Sequence, residues 1–355
     1  MVSAFPPPIG GVSMHSARLV HRLAHNGIRV RSIDVALNRA KPARFRRNLW
    51  SLVQIAGDIF CRRRVVWHFH ASRRALPFWF SLPFLFLLRQ RVILSLHTGD
   101  YAENDRAVNR CLSIADKAGV LAYVVVMNAA LAVRVRQQNA GVDAEILAVS
   151  PYVAGPIDWQ YMLDVRANAS GRMKNVIRLS TMGLWRNLYR FEDVVEAATQ
   201  AARATPELDW EVDIIASTAH VIEPYRVAIR TLIESGNKTN IRFRIIENIQ
   251  NSLSYFATRH VFVRAAETDS FGLCVAEAIQ AGCITLATDV CARPSAAVLF
   301  PAHEPAVLGA ALLRIARNGP RSLVMQEEMG DIDGFGKILA MYLAVTRLDR
   351  KSVNN

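Results

Sequence analysis

The stretch His260–Thr288 reads HVFVRAAETDSFGLCVAEAIQAGCITLAT and contains two strand patterns with a helix pattern between them. The run His260–Arg264 is short, apolar and β-branched or aromatic, as buried strands are. A helix pattern covers Phe271–Ala281, and a second β-branched run covers Cys283–Thr288. A strand, a helix and another strand in succession predict two parallel strands joined by a crossover helix.

The same alternation extends over the rest of the chain. In the first half we expect five strands, at Arg29–Ala36, Val65–His70, Arg91–His97, Leu121–Met127 and Ala144–Val149. Five helices are expected there, at Ser13–His25, Leu49–Cys61, Pro77–Leu88, Asp105–Lys117 and Ala129–Gln138. The second half adds strands at Asn175–Met182, Glu211–Ala216 and Ile241–Ile246, and helices at Phe191–Ala204, Glu223–Ser235, Leu253–Thr258 and Glu304–Ala316. This pattern predicts parallel sheets covered by helices on both faces.

Two such series imply two doubly wound, Rossmann-like α/β domains facing each other across a cleft. We expect domains at residues 1–150 and 174–322, an irregular linker at 151–173 and a C-terminal helical segment at 323–355. The long amphipathic stretch Leu323–Leu348 is expected to pack back across the hinge. Only Met1–Phe5 are available for a first strand, so this strand is short or the true start lies upstream. Ligands are expected at the carboxyl ends of the strands.

The positive charge is confined to the first half. Residues 1–150 hold 21 Lys and Arg against 8 Asp and Glu, which accounts for the whole formal charge of +13, whereas residues 151–355 hold 22 of each kind. A one-sided charge indicates an anionic partner, such as phosphates, membrane headgroups or nucleic acid, or else a merely soluble Arg-rich surface. A chain that is 52% hydrophobic is not disordered.

The five cysteines form no C-x-x-C pair, and no secretory signal pattern opens the chain. We therefore expect a reducing, cytoplasmic environment and a protein with no disulfide framework and no zinc site. The longest uncharged apolar run, Ala75–Leu88, has fourteen residues and contains Pro83, so it is too short to span a bilayer. A buried helix and a helix inserted into one leaflet's interface are both compatible with it.

Two candidate sites lie in the first half. In the loop Pro6–Ser13, Gly10 and Gly11 let the backbone approach a ligand, the following helix start attracts anions, and Ser13 is a plausible N-cap. A plain tight turn explains this loop equally well. His97 and His70 each end a strand pattern and would point into the expected cleft, although either could be structural.

The most specific candidate lies in the second half, in the loop and helix from Arg264 to Ala278. Asp269 lies in the loop and Glu277 about two turns into the helix, where an acid is costly to bury without a partner. The amides of Phe271, Gly272 and Leu273, next to Ser270, begin the helix and could hold an anionic or hydroxyl-rich ligand. In the alternative reading, Glu277 faces solvent and Asp269 is an N-cap.

These residues resemble a known family. Asp269–Cys283 (DSFGLCVAEAIQAGC) is similar to the E-G-F-G-L-P-x-x-E-A-x-A-x-G-x-P segment of retaining GT-B glycosyltransferases, notably glycosyltransferase family 4, with Asp269 and Glu277 at the two positions of the E-x(7)-E motif. The loop Pro7–Val12 resembles the family's glycine loop, Leu96–Gly99 its strand-end H-G, and Gly183–Ala197 its phosphate segment. The four matches fall in family order and span most of the chain.

The sequence also departs from the family pattern. The first acid is Asp269 rather than Glu, and Cys274 replaces the usual Pro. Arg264, Asp269, Glu277, Asp289, Arg293 and Pro294 fit a variant found in polysaccharide-assembly members. The usual Lys of the phosphate segment is absent, so Arg186 or Arg190 would replace it, and Arg190 is preferred because it directly precedes the helix. Arg can hold a diphosphate bidentately.

The resemblance implies transfer of a sugar from a nucleotide-sugar donor to an acceptor hydroxyl with retention, without a metal or other cofactor. It implies catalytic roles for His97, Asp269 and Glu277, and donor binding by Arg186, Arg190, the residues Ser270–Leu273 and Glu277. Glu277 would hold the ribose and Asp269 the transferred sugar, while Gly10 and Gly11 would approach the phosphates or the acceptor.

The N-terminal domain of this family usually takes the acceptor, here a sugar or a phosphate-bearing lipid. The basic clusters Arg39–Arg47, Arg62–Arg64 and Arg73–Arg74 flank the apolar run Ala75–Leu88 and suit docking at the inner face of an anionic membrane. A core helix surrounded by solvated arginines is the alternative. Three other functions stay open: a GT-B sugar-nucleotide epimerase, a catalytically weakened homologue and, with no recognisable motif, a basic nucleic-acid binder. We expect no nucleic-acid partner.

Overall fold

The computed structural model describes residues 1–3, 5, 11–35, 42–61, 65–71, 76–97, 106–153, 164, 175–218, 221–236, 240–249, 251–318 and 333–352. The chain divides into two compact units, one formed by Met1–Gly155 with Asp333–Asn355 and the other by Pro156–Ile332. The C-terminal segment thus belongs to the first unit, although it follows the second unit in the sequence.

The first unit contains a six-stranded parallel sheet. Its strands are β1 (Val2–Ser3), β2 (Ile33–Asp34), β3 (Trp67–Ala71), β4 (Val92–Leu96), β5 (Leu121–Val126) and β6 (Glu145–Ala148). They lie in the order β2-β1-β3-β4-β5-β6. All five residues of β4 are buried, as in a strand covered by helices on both faces. Leu94, Leu96 and Val124 belong to the buried hydrophobic core that packs on this sheet.

Six helices accompany this sheet in the part of the first unit that the structure describes. They are α1 (Gly11–His25), α2 (Pro42–Cys61), α3 (Leu76–Leu87), α4 (Arg106–Lys117), α5 (Ala129–Gln138) and, after the second unit, the C-terminal helix Phe335–Ser352. Phe335, Ile338 and Val345 of the C-terminal helix share a buried cluster with Leu19 of α1 and Val125 of β5. This apolar contact accounts for the grouping of the segment with the first unit.

The second unit contains another six-stranded parallel sheet. Its strands are β7 (Val176–Leu184), β8 (Asp209–Ser217), β9 (Ile241–Glu247), β10 (Val261–Arg264), β11 (Ile284–Thr288) and β12 (Val298–Phe300), in the order β12-β11-β10-β7-β8-β9. The helices with described bounds are α6 (Phe191–Arg203), α7 (Glu223–Gly236), α8 (Ser252–Phe256), α9 (Leu273–Gln280) and α10 (Pro305–Asn318), and a 3₁₀ turn at Asn187–Tyr189 precedes α6. With this numbering the C-terminal helix is α11.

The observed fold confirms the predicted two-domain α/β class. Several predicted boundaries were wrong. β2 spans two residues rather than Arg29–Ala36, and α2 begins at Pro42 rather than Leu49. Helix α9 begins at Leu273, not Phe271, because Gly272 takes a left-handed conformation that precedes the helix. The edge strand β12 was not predicted, since three residues are too few to show a period. Of the expected helix Leu323–Leu348, residues 323–332 lie outside the described part.

Candidate functional site

The carboxyl end of β10 carries an ion-pair triad in the second unit. Arg264, the last residue of β10, donates from Nε to Asp269 Oδ2 at 2.9 Å, and Arg293 donates from Nη1 to the same oxygen at 3.0 Å. Asp269 Oδ1 accepts from the backbone N–H of Ser270 at 3.0 Å. Two guanidinium groups facing one carboxylate leave the triad with one net positive charge, which suits an anionic ligand.

The carboxyl of Asp269 is held in its ionised form. Its burial alone would raise the pKa, but the charges and hydrogen bonds of Arg264 and Arg293 outweigh that effect and lower the pKa of Asp269 below its ordinary value of 3.8. The acid predicted to contact a sugar is therefore already paired within the unit. It organises the loop, and the two arginines, rather than Asp269 itself, carry the excess charge.

Gly272 lets this triad close against the start of α9. Its φ of +76° lies in the left-handed region, and a Cβ built there would lie 2.5 Å from Arg293 Nη1 and 3.0 Å from Asp269 Oδ2. Among the described residues, the backbone N–H groups of Phe271, Gly272 and Leu273 donate no hydrogen bond, whereas the carbonyl of Phe271 accepts from Arg293 Nη1 at 2.9 Å. These three N–H groups therefore stay candidates for binding an anion or hydroxyl groups next to the arginines.

Glu277 lies on the buried side of α9. It is 5% exposed, and its Oε2 accepts a hydrogen bond from Ser252 Oγ at 2.5 Å. The alternative that this acid faces solvent is therefore wrong. Ser252 is the first residue of α8, so this contact connects α8 to the loop-helix segment that carries Asp269 and Gly272.

The loop after β7 lies beside the triad. Strands β7 and β10 are paired, and this places their carboxyl ends side by side. Arg264 donates from Nη1 to the carbonyl of Met182 at 2.7 Å, and its guanidinium lies 4.7 Å from the ring centroid of Tyr189. The segment Gly183–Ala197 and the Asp269 loop are far apart in sequence. They are brought together at the carboxyl ends of the strands, where doubly wound folds bind ligands.

The two arginines of this segment differ in their contacts. Arg190, with φ +48°, donates to both oxygens of Asp193 at 3.0 and 2.8 Å and lies 2.9 Å from Glu192 Oε1. Arg186 is exposed, and among the described residues its side chain has neither a hydrogen bond nor an ion pair. The preference for Arg190 over Arg186 was based on sequence position alone, whereas the contacts favour Arg186 as the cation available to a ligand.

The first unit holds a separate cluster of histidines. His70 Nδ1, in β3, lies 2.8 Å from Nε2 of His97, which directly follows β4. His15, in α1, donates from Nδ1 to the carbonyl of Pro151, and its ring centroid lies 5.3 Å from that of His70 and 5.0 Å from that of His97. His68 Nε2 lies 2.7 Å from Ser95 Oγ. The pair His70 and His97, predicted at neighbouring strand ends, is therefore in contact.

Burial keeps these imidazoles neutral near pH 7. Loss of solvation is the main cause for each, and it lowers the pKa of His15 to about 4. For His70 and His97 burial and the neighbouring imidazoles lower the pKa well below 6.5. A neutral imidazole can accept a proton or donate a lone pair, which a charged one cannot.

The other predicted positions are less informative. Gly11 is the first residue of α1, whereas Gly10 lies outside the described residues. Ser13 is not the N-cap but the third residue of α1, and it is buried. Ser252 and His15 were not predicted from the sequence, because only the packing of α8 on α9 and of α1 on its sheet reveals them. Arg293 had been noted only as part of a motif variant.

Solved structures with the same architecture cover from three quarters to nearly all of the chain. HepE from Anabaena in complex with UDP matches with a TM-score of 0.63 and 10% identity over 99% of this chain and 98% of that chain. An E. coli trehalose-6-phosphate structure bound with UDP-2-fluoro glucose matches with a TM-score of 0.59 and 10% identity over 99% and 97%. TarM from S. aureus, in complex with UDP among other ligands, matches with a TM-score of 0.52 and 14% identity over 75% and 53%.

These likenesses establish the fold of the chain as that of the GT-B glycosyltransferases. No protein-family model matches the sequence, and no curated protein matches it. At identities of 10–14% the match lies in the arrangement of strands and helices.

Proposed function

We propose that this chain is a glycosyltransferase that moves a sugar from a nucleotide-sugar donor to an acceptor hydroxyl. The observation that carries the proposal is the triad at the end of β10, where two arginines share Asp269 next to the amides of Phe271–Leu273. A departing nucleoside diphosphate develops negative charge, and prearranged cations and amides stabilise such charge most effectively. In the part of the second unit that the structure describes, no other place combines two arginines on one carboxylate with free backbone N–H groups at the carboxyl ends of the strands.

Each residue has a proposed role. Arg186, with Arg190 as the alternative, binds the diphosphate, and the amides of Phe271, Gly272 and Leu273 bind phosphate or sugar oxygens. Glu277 accepts from the ribose hydroxyls, and Ser252 orients its carboxylate. Asp269 is assigned to positioning the two arginines, in place of direct sugar contact. His97, together with the first-unit glycine loop, serves the sugar and the acceptor.

The donor is proposed to be a UDP-sugar. HepE was solved with UDP, with UDP and glucose, and with UDP-glucose, and the E. coli structure holds a UDP-sugar analogue. Retention of the anomeric configuration, and a hexose as the transferred group, follow from the motif resemblance. The motif resemblance also suggests a role in the synthesis of a cell-surface polysaccharide or glycolipid. The proposal needs no metal at the diphosphate, since guanidinium groups can supply the charge.

A thermal-shift panel of nucleoside diphosphates and their sugars tests this proposal. A ligand at about 100 times its dissociation constant stabilises the folded state by about 2.7 kcal/mol, which raises the melting temperature by several degrees. We expect UDP and at least one UDP-sugar to raise it, and Arg186→Gln to weaken the shift while Arg203→Gln, at the distant end of α6, leaves it unchanged. No shift with any nucleotide would overturn the donor assignment.

A second proposal concerns the exposed apolar face of α2 and α3. Within the run Ala75–Leu88, the side chains of Phe78, Leu82 and Leu85 are buried, whereas Phe86 is 58% and Leu87 68% exposed. Trp50 of α2 is 68% exposed, and Arg89 and Arg91 follow α3 as exposed cations. Among the described residues, no helix is long and apolar enough to cross a bilayer.

Apolar side chains beside cations suit shallow insertion into an anionic surface, and we propose that the protein works at the cytoplasmic face of a membrane on a lipid-linked acceptor. The basic clusters 62–64 and 73–74 lie outside the described residues, as do residues 39–41 of the third cluster, and the side chains of residues 42–47 are not described.

Flotation with liposomes that contain anionic lipid tests membrane docking. The wild type should float to the top fraction, and the double variant Phe86→Ser, Leu87→Ser should show a smaller floating fraction. Complete retention of the wild type in the soluble fraction would contradict membrane docking.

A further inference from the structure

Three imidazoles converge in the first unit. Their ring centroids form a nearly regular triangle, with sides of 5.0 Å between His15 and His97, 5.1 Å between His70 and His97, and 5.3 Å between His15 and His70. One nitrogen of each ring can be chosen so that all three lie within 4.8 Å of one another. The rings come from three elements, α1, β3 and the residue after β4, so the convergence is produced by the tertiary fold.

We propose that His15, His70 and His97 bind one divalent transition-metal ion of the Zn²⁺ class. The cluster offers imidazole nitrogens only, and this ligand set suits Zn²⁺, Co²⁺, Ni²⁺ or Cu²⁺, whereas Mg²⁺ and Ca²⁺ prefer oxygen. Three protein ligands would leave a fourth position open to water or a substrate hydroxyl, as in catalytic rather than structural zinc sites. This inference is independent of sugar transfer, because it concerns the first unit alone and is measured without donor or acceptor.

An unpartnered nitrogen supports the proposal. His70 is only 7% exposed, and its buried Nε2 has no hydrogen-bond partner among the described residues. Leaving a buried polar atom without a partner costs about 1–3 kcal/mol. If the proton of His70 is on Nδ1, its Nε2 carries a lone pair that a bound cation would satisfy. The lone pair of His97 Nε2 then accepts from His70 until an ion binds, so this hydrogen bond must be exchanged for the metal bond when His97 ligates.

The environment of His15 supports the proposal independently. A carbonyl can only accept, so the contact with Pro151 places the proton of His15 on Nδ1 and leaves Nε2 with its lone pair. Metal-binding histidines commonly donate their other ring N–H to a carbonyl or carboxylate, which fixes the ring and the tautomer. His97 is only half-buried, so the cluster is not completely shielded from solvent.

Two features oppose tight binding. Zn–N bonds of 2.0–2.1 Å in a tetrahedral site set the nitrogens about 3.3 Å apart, so the rings must move inward from separations of up to 4.8 Å. The positive charge of Arg18 acts on His15, and that of the amino terminus acts on His70. We therefore expect weaker affinity than at sites that include a carboxylate or a thiolate.

Calorimetric titration of the chelator-treated full-length protein with Zn²⁺ tests the site, together with the visible spectrum of the Co²⁺ form. We expect one equivalent to bind, and the intense bands of four-coordinate Co²⁺ to appear. His15→Gln and His70→Gln should each lower the affinity at least tenfold, whereas His21→Gln, at an exposed position on the same helix, should not change it.

The buried variants are checked for folding by circular dichroism before titration. If either fails to fold, His97→Ala replaces it, since that ring is only half-buried. Absence of stoichiometric Zn²⁺ and Co²⁺ binding by the wild type would overturn the proposal and leave His70 and His97 as a proton-sharing pair. Equal affinity in the wild type and in the folded variants would overturn it as well.

Discussion

At the residue scale, the second unit depends on Asp269. Its carboxylate forms ion pairs with Arg264, which is 7% exposed, and with Arg293 at the same time. Removing one partner of a buried ion pair leaves an uncompensated charge, which is far more costly than the net contribution of the pair. The residue placed at a catalytic motif position therefore has a structural consequence that can be measured without any substrate.

Asp269→Asn is expected to destabilise the folded state by about 3–5 kcal/mol at neutral pH, because two buried guanidinium groups lose their counter-charge. The folded pKa of Asp269 is lowered, so this stabilisation is complete above the ordinary pKa of 3.8 and is lost as pH falls through the folded value. Urea unfolding of wild type and variant from pH 7 to pH 2.5 should therefore show a difference that shrinks below about pH 4.

The matched control is Asp289→Asn, at an exposed position in the loop after β11. We expect it to change the free energy of unfolding by less than about 0.5 kcal/mol. If the two variants were equally stable at pH 7, the triad would contribute nothing to folding and the positioning role of Asp269 would fail.

Gly272 makes a second residue-scale prediction. Gly272→Ala introduces a non-glycine residue at φ +76° and places its Cβ 2.5 Å from Arg293 Nη1. The control Gly27→Ala has nearly the same φ, +75°, but nothing lies within 4 Å of its Cβ. Both variants should lose about 1–2 kcal/mol from the left-handed backbone alone.

Only Gly272→Ala should also lose nucleotide binding, because it displaces Arg293 from the triad. Melting temperatures with and without UDP separate the two effects. Nucleotide shifts that are equally large in Gly272→Ala and Gly27→Ala would show that the start of α9 is not part of the donor site.

At the element scale, hydrophobic periodicity predicted most helices and strands to within a few residues. The largest errors are β2, which has two residues instead of the predicted eight, and α2, which begins seven residues earlier than predicted. β12 is too short to have a period, and α9 begins two residues late because Gly272 precedes it in a left-handed conformation. The Asp269 loop and Glu277 could be found from sequence because they lie on one continuous segment. The pairing of Asp269 with Arg293 could not, since it depends on β11 lying beside β10.

The C-terminal helix α11 provides an element-scale prediction. Gly334, just before it, donates to the carbonyl of Tyr152 at 2.9 Å, and a Cβ at this position would collide with the carbonyl oxygen of Ser150. Gly334→Ala should therefore force the segment away from the first unit and lower the melting temperature. Gly336→Ala, two residues on and inside the helix, meets nothing within 4 Å and should stabilise by about 0.5–1 kcal/mol.

Circular dichroism melts of the two glycine variants check this difference. If Gly334→Ala melted like the wild type, the close packing of the segment 333–334 against residues 149–152 would be wrong.

Tyr342, whose hydroxyl lies 2.7 Å from His68 Nδ1, connects the same helix to the histidine-bearing strand β3. Loss of α11 packing should therefore also disturb the histidine cluster.

At the scale of the whole molecule, charge and chemistry are divided between the units. The sequence places the entire positive excess in residues 1–150, whereas the neutral remainder holds the triad with its own local positive charge. Global net charge therefore does not locate the proposed donor site. The fold, by contrast, was predictable as a whole, because two β–α series of similar length determine two parallel sheets.

The central claim is that a nucleoside diphosphate binds at the start of α9, with Glu277 contacting its ribose. Calorimetric titration with UDP tests it most directly, comparing the wild type with Glu277→Gln and with Glu267→Gln, at an exposed position in the loop before α9. We expect one site in the wild type, at least a tenfold loss of affinity in Glu277→Gln, corresponding to about 1.4 kcal/mol, and no change in Glu267→Gln. No binding of UDP to the wild type, or equal affinity in the wild type and Glu277→Gln, would contradict the claim.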